Sequence, residues 1–431
     1  MKPSVIMSVT AMQTSTDQRN PAVSVTVITA GGAQGIGSAY ESYSTSDYRP
    51  KYLYDHTERY HGNGVTTAAG IIEKIVAPAL IGLDAARQGE VDHAIKTSLA
   101  EAGFPAYVNL SAPVSVAALK AGSAALGIPL YRHIGGQSAF TLPVGGYLAA
   151  SGSKRYGDGE RSEGRPVYNL VSFGFDSFEE AHYALWETAN AYEKLLAKEA
   201  GLLVHRGFSL AVPRGRLESD RSLLDIMTKS IEAAGHGGKI GIHIDVGANE
   251  FYDAQAELYR GLFDTEEKTG TQMVSLYKEL VEAYPIVMLQ DPLQQHDTAG
   301  FAELTASTGI QIVGGDLFGT DVARIKSCIM AGCVNSALLP VCGFETFSDV
   351  IQMVRFVKSH GADVMLQDLS GEGLDIADFS VGFRAGTVYQ GGLDPVGNRL
   401  ISTEKLIGPR ARFYGIRGLQ GSKFCLRQSV K

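Results

Sequence analysis

Lys239-Ile240-Gly241-Ile242-His243-Ile244-Asp245-Val246 is a short, largely β-branched apolar run that closes on a carboxylate, and its reading decides the fold. A run apolar on both faces suits a strand covered on both sides, as in a parallel sheet flanked by helices. The pattern returns at residues 285–292, 310–317, 336–341 and 363–370, with amphipathic stretches such as 272–283 and 347–360 between them. Spacings of roughly 25 to 45 residues fit one strand, one helix and two loops per unit. This repetition predicts an α/β architecture, a closed parallel (β/α)8 barrel over residues 138–431. Chemistry in such a barrel sits at the C-terminal ends of the strands. The residues there are His243 and Asp245, Gln290 and Asp291, Asp316, Pro340 and Cys342, then Gln367, Asp368, Ser370 and Glu372.

Upstream the pattern differs. Val23-Ser24-Val25-Thr26-Val27-Ile28-Thr29 alternates apolar and polar residues and predicts a half-exposed strand. Helical spacing rich in alanine follows at 65–80 and 113–126. Together these predict a small α+β domain over residues 1–137, with Gly135-Gly136 as the hinge. The turn Gly31-Gly32-Ala33-Gln34-Gly35-Ile36-Gly37 has the glycine spacing of a phosphate-cradling loop, but lacks a P-loop lysine and a helix directly after it. Two charged stretches, 151–165 and 205–216, read as long loops, either lids over a site or solvated surface.

With 431 residues, 45% of them hydrophobic and 19% charged, the chain has apolar material for two cores. A formal net charge of -8 leaves no excess of Lys and Arg to neutralise phosphates, which argues against nucleic acid and anionic membranes as partners. Cys328, Cys333, Cys342 and Cys425 form no CxxC pair and no disulfide framework, which suits a reducing compartment. The first residues are too interrupted by Ser and Thr for a signal-peptide core, and no apolar run reaches membrane-spanning length. A cytoplasmic protein is expected.

Several of these segments resemble enolase. Ile244-Asp245-Val246-Gly247-Ala248-Asn249-Glu250-Phe251-Tyr252 is similar to the family's metal-carrying strand, and the stretch from Lys120-Ala121-Gly122-Ser123 to Ile134 to the family's helix and the chain leaving it. Gln290-Asp291-Pro292-Leu293, the stretch 305–314, and Ser370-Gly371-Glu372 continue the likeness in order. The resemblance implies an enolase-like small domain and barrel, a homodimer, and a reaction in which a lysine base removes a weakly acidic proton beside a carboxylate while two magnesium ions stabilise the enediolate.

It also implies which positions should carry that chemistry, and most hold other residues. Of three carboxylate ligands, Asp245 is kept, the second stands as Gln290, and the third falls on Gly315 of Gly314-Gly315-Asp316-Leu317. Asp245, Gln290 and Asp316 therefore make a degraded magnesium site, and no cofactor is assigned. The base lysine aligns with Pro340, the phosphate-binding His and Arg with Asp368 and Leu369, and a second lysine with Tyr389. The general-acid region has become 205–213. The mobile-loop serine aligns with Gln34, and about one strand of the family's hairpin is missing.

Two readings stay open. One is a repurposed lyase acting on a small-molecule carboxylate at the barrel mouth, with His205, Arg206, Asp368 and Tyr389 as catalytic candidates and Gln34, Lys154, Arg155 and Ser370 as substrate-binding ones. The other is a catalytically inactive relative that binds a ligand or a protein partner. Ionisable residues standing at the vacated positions favour the first, and dehydration of 2-phosphoglycerate is the least favoured of all. His243, Asp291 and Cys342 read as buried structural groups.

Overall fold

The computed structural model describes residues 2–16, 19–41, 44–152, 165–201, 212, 217 and 219–424. Three antiparallel strands open the chain, β1 (Ile6–Ser15), β2 (Pro21–Thr29) and β3 (Gln34–Tyr40), in that order across the sheet. Val23, Val25 and Val27 of β2 turn to one face and are fully buried against the helices, as period-two alternation requires. The expected loss of a hairpin strand is thus corrected, because β3 pairs with β2 along its length.

The helix Val108–Ala125 lies across this sheet and is buried over almost its whole length. The prediction started it at Pro113, a residue that favours first turns. Instead the helix begins five residues earlier, and Asn109 ties it down by bonding both the backbone N–H (2.9 Å) and the carbonyl (2.9 Å) of Leu53. Gly35 and Gly37 serve this packing. A Cβ on Gly35 would lie 2.0 Å from the Ala117 carbonyl oxygen, and one on Gly37 2.2 Å from that of Pro113. The glycine-rich stretch is therefore a close strand-to-helix contact and not a phosphate cradle. Gly135 is likewise packed, its would-be Cβ 2.3 Å from Gly382 O.

Eight strands close the barrel: β4 (Val144–Gly152), β5 (Arg165–Ser172), β6 (Ile240–Asp245), β7 (Ile286–Gln290), β8 (Gln311–Gly314), β9 (Ser336–Leu339), β10 (Asp363–Leu366) and β11 (Thr387–Gly391). They ring in chain order, with β11 beside β4. The expectation of eight parallel strands is corrected at one place, since β5 runs antiparallel to both β4 and β6. Its first residues consequently stand at the same end as the last residues of β6, with Val167 opposite Asp245.

The surrounding helices start at side-chain caps that the sequence spells out. Thr269 and Thr346 form capping boxes with Gln272 and Asp349, and Asp297, Asp321 and Asp394 each accept a backbone N–H three residues on. The small domain is fastened to the barrel by Asp92, which accepts from Ser348 N (2.9 Å) and Ser348 Oγ (2.6 Å), and by Lys120 to Asp375 at 2.5 Å. Among the described residues no single helix is long and apolar enough to cross a membrane.

Candidate functional site

Side chains alternate along β6, so His243 and Asp245 share the face turned into the barrel. Tyr389, from β11, donates its hydroxyl hydrogen to Asp245 Oδ2 at 3.1 Å, and its ring meets the His243 imidazole edge to face at 5.7 Å. Asn169, opposite His243 on β5, places its Nδ2 3.4 Å from His243 Nδ1. Burial pulls the His243 imidazole down to about 3, against the Gln290 amide beside it that favours protonation, so the ring is neutral at neutral pH.

The neighbouring strand ends carry two aspartates with structural partners. Asp291 Oδ1 accepts from Gly315 N (2.9 Å) and Leu317 N (3.2 Å), holding the turn after β8, and its own backbone sits at a φ of 43°. Asp316 accepts from Ser44 Oγ (2.6 Å), Thr45 N (3.2 Å) and Thr45 Oγ1 (2.5 Å), so it is engaged by the segment that follows β3. At Gly315 a Cβ would stand 2.8 Å from Leu338 Cδ2 and 2.9 Å from Asp291 Oδ2, so a side chain there would have to displace the ends of both. Gln290 is fully buried and uncharged. Among the described residues no group of three His, Cys, Asp or Glu side chains is arranged to hold a metal ion. Magnesium needs several hard oxygen ligands in octahedral array, and the residues present do not fit it.

On the other side of the mouth, Pro340 ends β9 and lines a cleft with Ser44, Gly315, Asp316, Leu338 and Leu369. Glu372 lies behind it, accepting from Cys342 N (2.7 Å), Leu369 N (3.0 Å) and Ser370 N (2.9 Å). Burial, with the Asp368 carboxylate nearby, pushes the Glu372 carboxyl up to about 8 in spite of these donors. Burial also pushes the Cys342 thiol well up, so it is a packed thiol and not an activated nucleophile. Tyr40 closes this side, its N–H donating to Ser370 O (2.9 Å) and its hydroxyl to Asp368 Oδ1 (3.1 Å).

Known proteins match the sequence over most of its length. Residues 6–134 match the family described as enolase, N-terminal domain, and residues 174–419 that described as enolase, C-terminal TIM barrel domain. The enolase of Methanopyrus kandleri is 33% identical over 393 residues, covering 90% of this chain and 91% of its own. Those of Bifidobacterium longum (31%, covering 97% and 98%) and Thermococcus kodakarensis (32%, covering 98% of each) are similar over nearly the whole length. The chain belongs to the enolase family.

Within this enolase-family barrel, the expected site residues do not all come together. Asp245, Gln290 and Tyr389 converge with His243 inside the mouth. Asp368 and Ser370 stand at its rim, the first exposed and bonded to Tyr40, the second buried beside the Tyr52 phenol. Asp316 is turned to Ser44 and Thr45, so the expectation that it belongs with Asp245 and Gln290 as a metal ligand is corrected. His205, Arg206, Lys154 and Arg155 lie outside the described residues. Gln34 is a further correction. It begins β3, exposed and paired to Ile28, about 20 Å along the strand from Tyr40, which is the end that reaches the mouth. The segment that meets the barrel is the one after β3, at Ser44 and Thr45. Sequence reasoning also missed Asn169, whose only signal is the apolar residues around it in Val167-Tyr168-Asn169-Leu170-Val171, directly after a charged stretch.

Proposed function

We propose that this enolase-family chain catalyses a lyase-type reaction on a small carboxylate at the barrel mouth, and not the dehydration of 2-phosphoglycerate. The observation that carries the reading is Gly315, which supplies no carboxylate at the third ligand position and where a side chain would crowd the ends of Leu338 and Asp291. Pro340 supports it, because a proline ring at the end of β9 offers no proton acceptor where the family resemblance places the lysine base. Removing a proton of very low acidity without that base and without summed carboxylate charge around a metal is unsupported by the groups present.

What they do offer is an acid–base pair. The Asp245 carboxylate, accepting from Tyr389, is placed to take a proton, and the Tyr389 hydroxyl to give one, at a ligand held over them. Such a pair suits a substrate whose leaving group needs protonation or whose proton is more acidic than that of 2-phosphoglycerate. His205, Arg206, Lys154 and Arg155, if brought over the mouth, would supply charge for the carboxylate, and Asp368 lies at the rim. The resemblance also supports a homodimer.

The deciding experiment is a spectrophotometric assay of phosphoenolpyruvate formation from 2-phosphoglycerate with excess magnesium, paired with calorimetric titration of magnesium into protein and Asp245→Ala. The expectation is no turnover and no binding that depends on Asp245. Turnover within a hundredfold of ordinary enolase rates, or tight binding abolished by the substitution, overturns the proposal. A following screen of small carboxylates separates the two readings left, since ligands that bind without reacting indicate an inactive binding protein.

A further inference from the structure

Beneath Asp245 the barrel interior is polar yet carries no charge. Asn169, His243 and Gln290 come from adjacent strands of one wall, β5, β6 and β7, and are at most 2% exposed. Two of their polar atoms, Asn169 Oδ1 and Gln290 Nε2, have no hydrogen-bond partner, while the Gln290 amide oxygen lies against the His243 ring. Buried polar atoms are nearly always paired, so an unpaired donor and acceptor on one wall point to something that pairs them.

The inventory of donors and acceptors says what that is. Asn169 Nδ2 donates to His243 Nδ1, so the ring proton is on Nε2, which donates to the Gln290 amide oxygen beside it. Gln290 Nε2 then remains a donor and Asn169 Oδ1 an acceptor. An anion would face that acceptor and the nearby Asp245 carboxylate. A cation would meet the donor and find one carboxylate already accepting from Tyr389. An apolar group would leave both atoms unsatisfied.

We infer that the inner end of the mouth binds an uncharged ligand group that both donates and accepts hydrogen bonds, a primary carboxamide or a hydroxyl. The inference rests on the mouth being the site for a small carboxylate and specifies the other end of that ligand, with its carboxylate directed outward. Recognition of this kind discriminates strongly, because an analogue lacking the matching group strands buried donors and acceptors.

Succinate and succinamate differ only in replacing one carboxylate by a carboxamide, and their binding is read by calorimetry on the full chain without any need for turnover. Succinamate is expected to bind at least tenfold more tightly. Gln290→Leu, similar in volume and without polar atoms, and His243→Phe are each expected to reduce that preference to less than threefold, with near-ultraviolet circular dichroism confirming that each variant is folded. If one variant fails to fold, the other carries the test. Equal or tighter binding of succinate, or a preference unchanged in the folded variants, overturns the inference while leaving a small-carboxylate site standing. Failure of both compounds to bind at 10 mM (about 2.7 kcal/mol of binding free energy) overturns this inference and the site reading together.

Discussion

Tyr389 and Asp245 come from strands separated in the ring by β4 and β5, and their 3.1 Å hydrogen bond therefore spans the barrel mouth instead of following the sheet ladder. A hydrogen bond to a buried carboxylate contributes about 1.5–3 kcal/mol. Tyr389→Phe keeps the ring against His243 and deletes only the donor. The expected result in urea denaturation is a loss of stability in that range with an unchanged m-value. A loss below 0.5 kcal/mol would show that the hydroxyl does not hold the carboxylate.

Asp92 joins the two parts of the molecule. One oxygen accepts from Ser115 Oγ (2.6 Å) and Gln88 Nε2 (2.8 Å), the other from the N–H and hydroxyl of Ser348, and Ser115 Oγ in turn accepts from Phe347 N (2.9 Å). The carboxylate thus caps the first turn of the helix Phe347–Ser359 from a different domain. Asp92→Ala strands several buried donors at once, and a destabilisation of about 3 kcal/mol is expected. Differential scanning calorimetry should show the small domain melting ahead of the barrel. A single undivided transition at the original temperature would contradict the clamp.

Glu372 predicts a pH dependence. Its folded pKa, about 8, lies above the unfolded carboxyl value, so the folded state binds more protons between the two. The sign follows from linkage: stability falls as pH rises from about 4.5 to 8, and levels off above that. Glu372→Gln mimics the protonated carboxyl and is expected to flatten this decline. The check is the difference in denaturation midpoint between variant and parent at pH 5, 6.5 and 8, which should shift in favour of the variant as pH rises. A difference that stays constant would mean the three N–H donors hold Glu372 ionised throughout.

The barrel was legible because its strands are apolar on both faces and end on polar residues, a pattern that survives whatever the loops contain. Residues 165–172 escaped it. Arg165, Pro166 and Asn169 break the apolar run, and the charged stretch before them hides its start. Yet the short link from β4 to β5 held a clue, since a parallel crossover requires a helix that residues 153–164 have little length for. The misplacement of Gln34 has a different cause. Alternation in β1 is weak, because Met7 and Met12 are exposed along with Thr10, Thr14 and Ser15, so the strand carries little sequence signal of its own. Asp316 was misjudged because its partners, Ser44 and Thr45, lie 272 and 271 residues away in sequence, a pairing that no local pattern shows.

Gly315 provides the sharpest test of why a magnesium site does not form here. If the lost carboxylates alone were responsible, Gln290→Glu with Gly315→Asp would restore it. The geometry predicts otherwise, because the new Cβ would lie 2.8 Å from Leu338 Cδ2 and 2.9 Å from Asp291 Oδ2. Overpacking of this kind costs about 1–3 kcal/mol, and two carboxylates forced together add repulsion. The double variant is therefore expected to be less stable than the parent and to show no calorimetric heat with 10 mM magnesium. Adding Leu338→Ala makes space on one side, and only that triple variant should gain measurable affinity, accompanied by a rise in melting temperature with added magnesium. Tight binding by the double variant would place the defect in charge and not in packing.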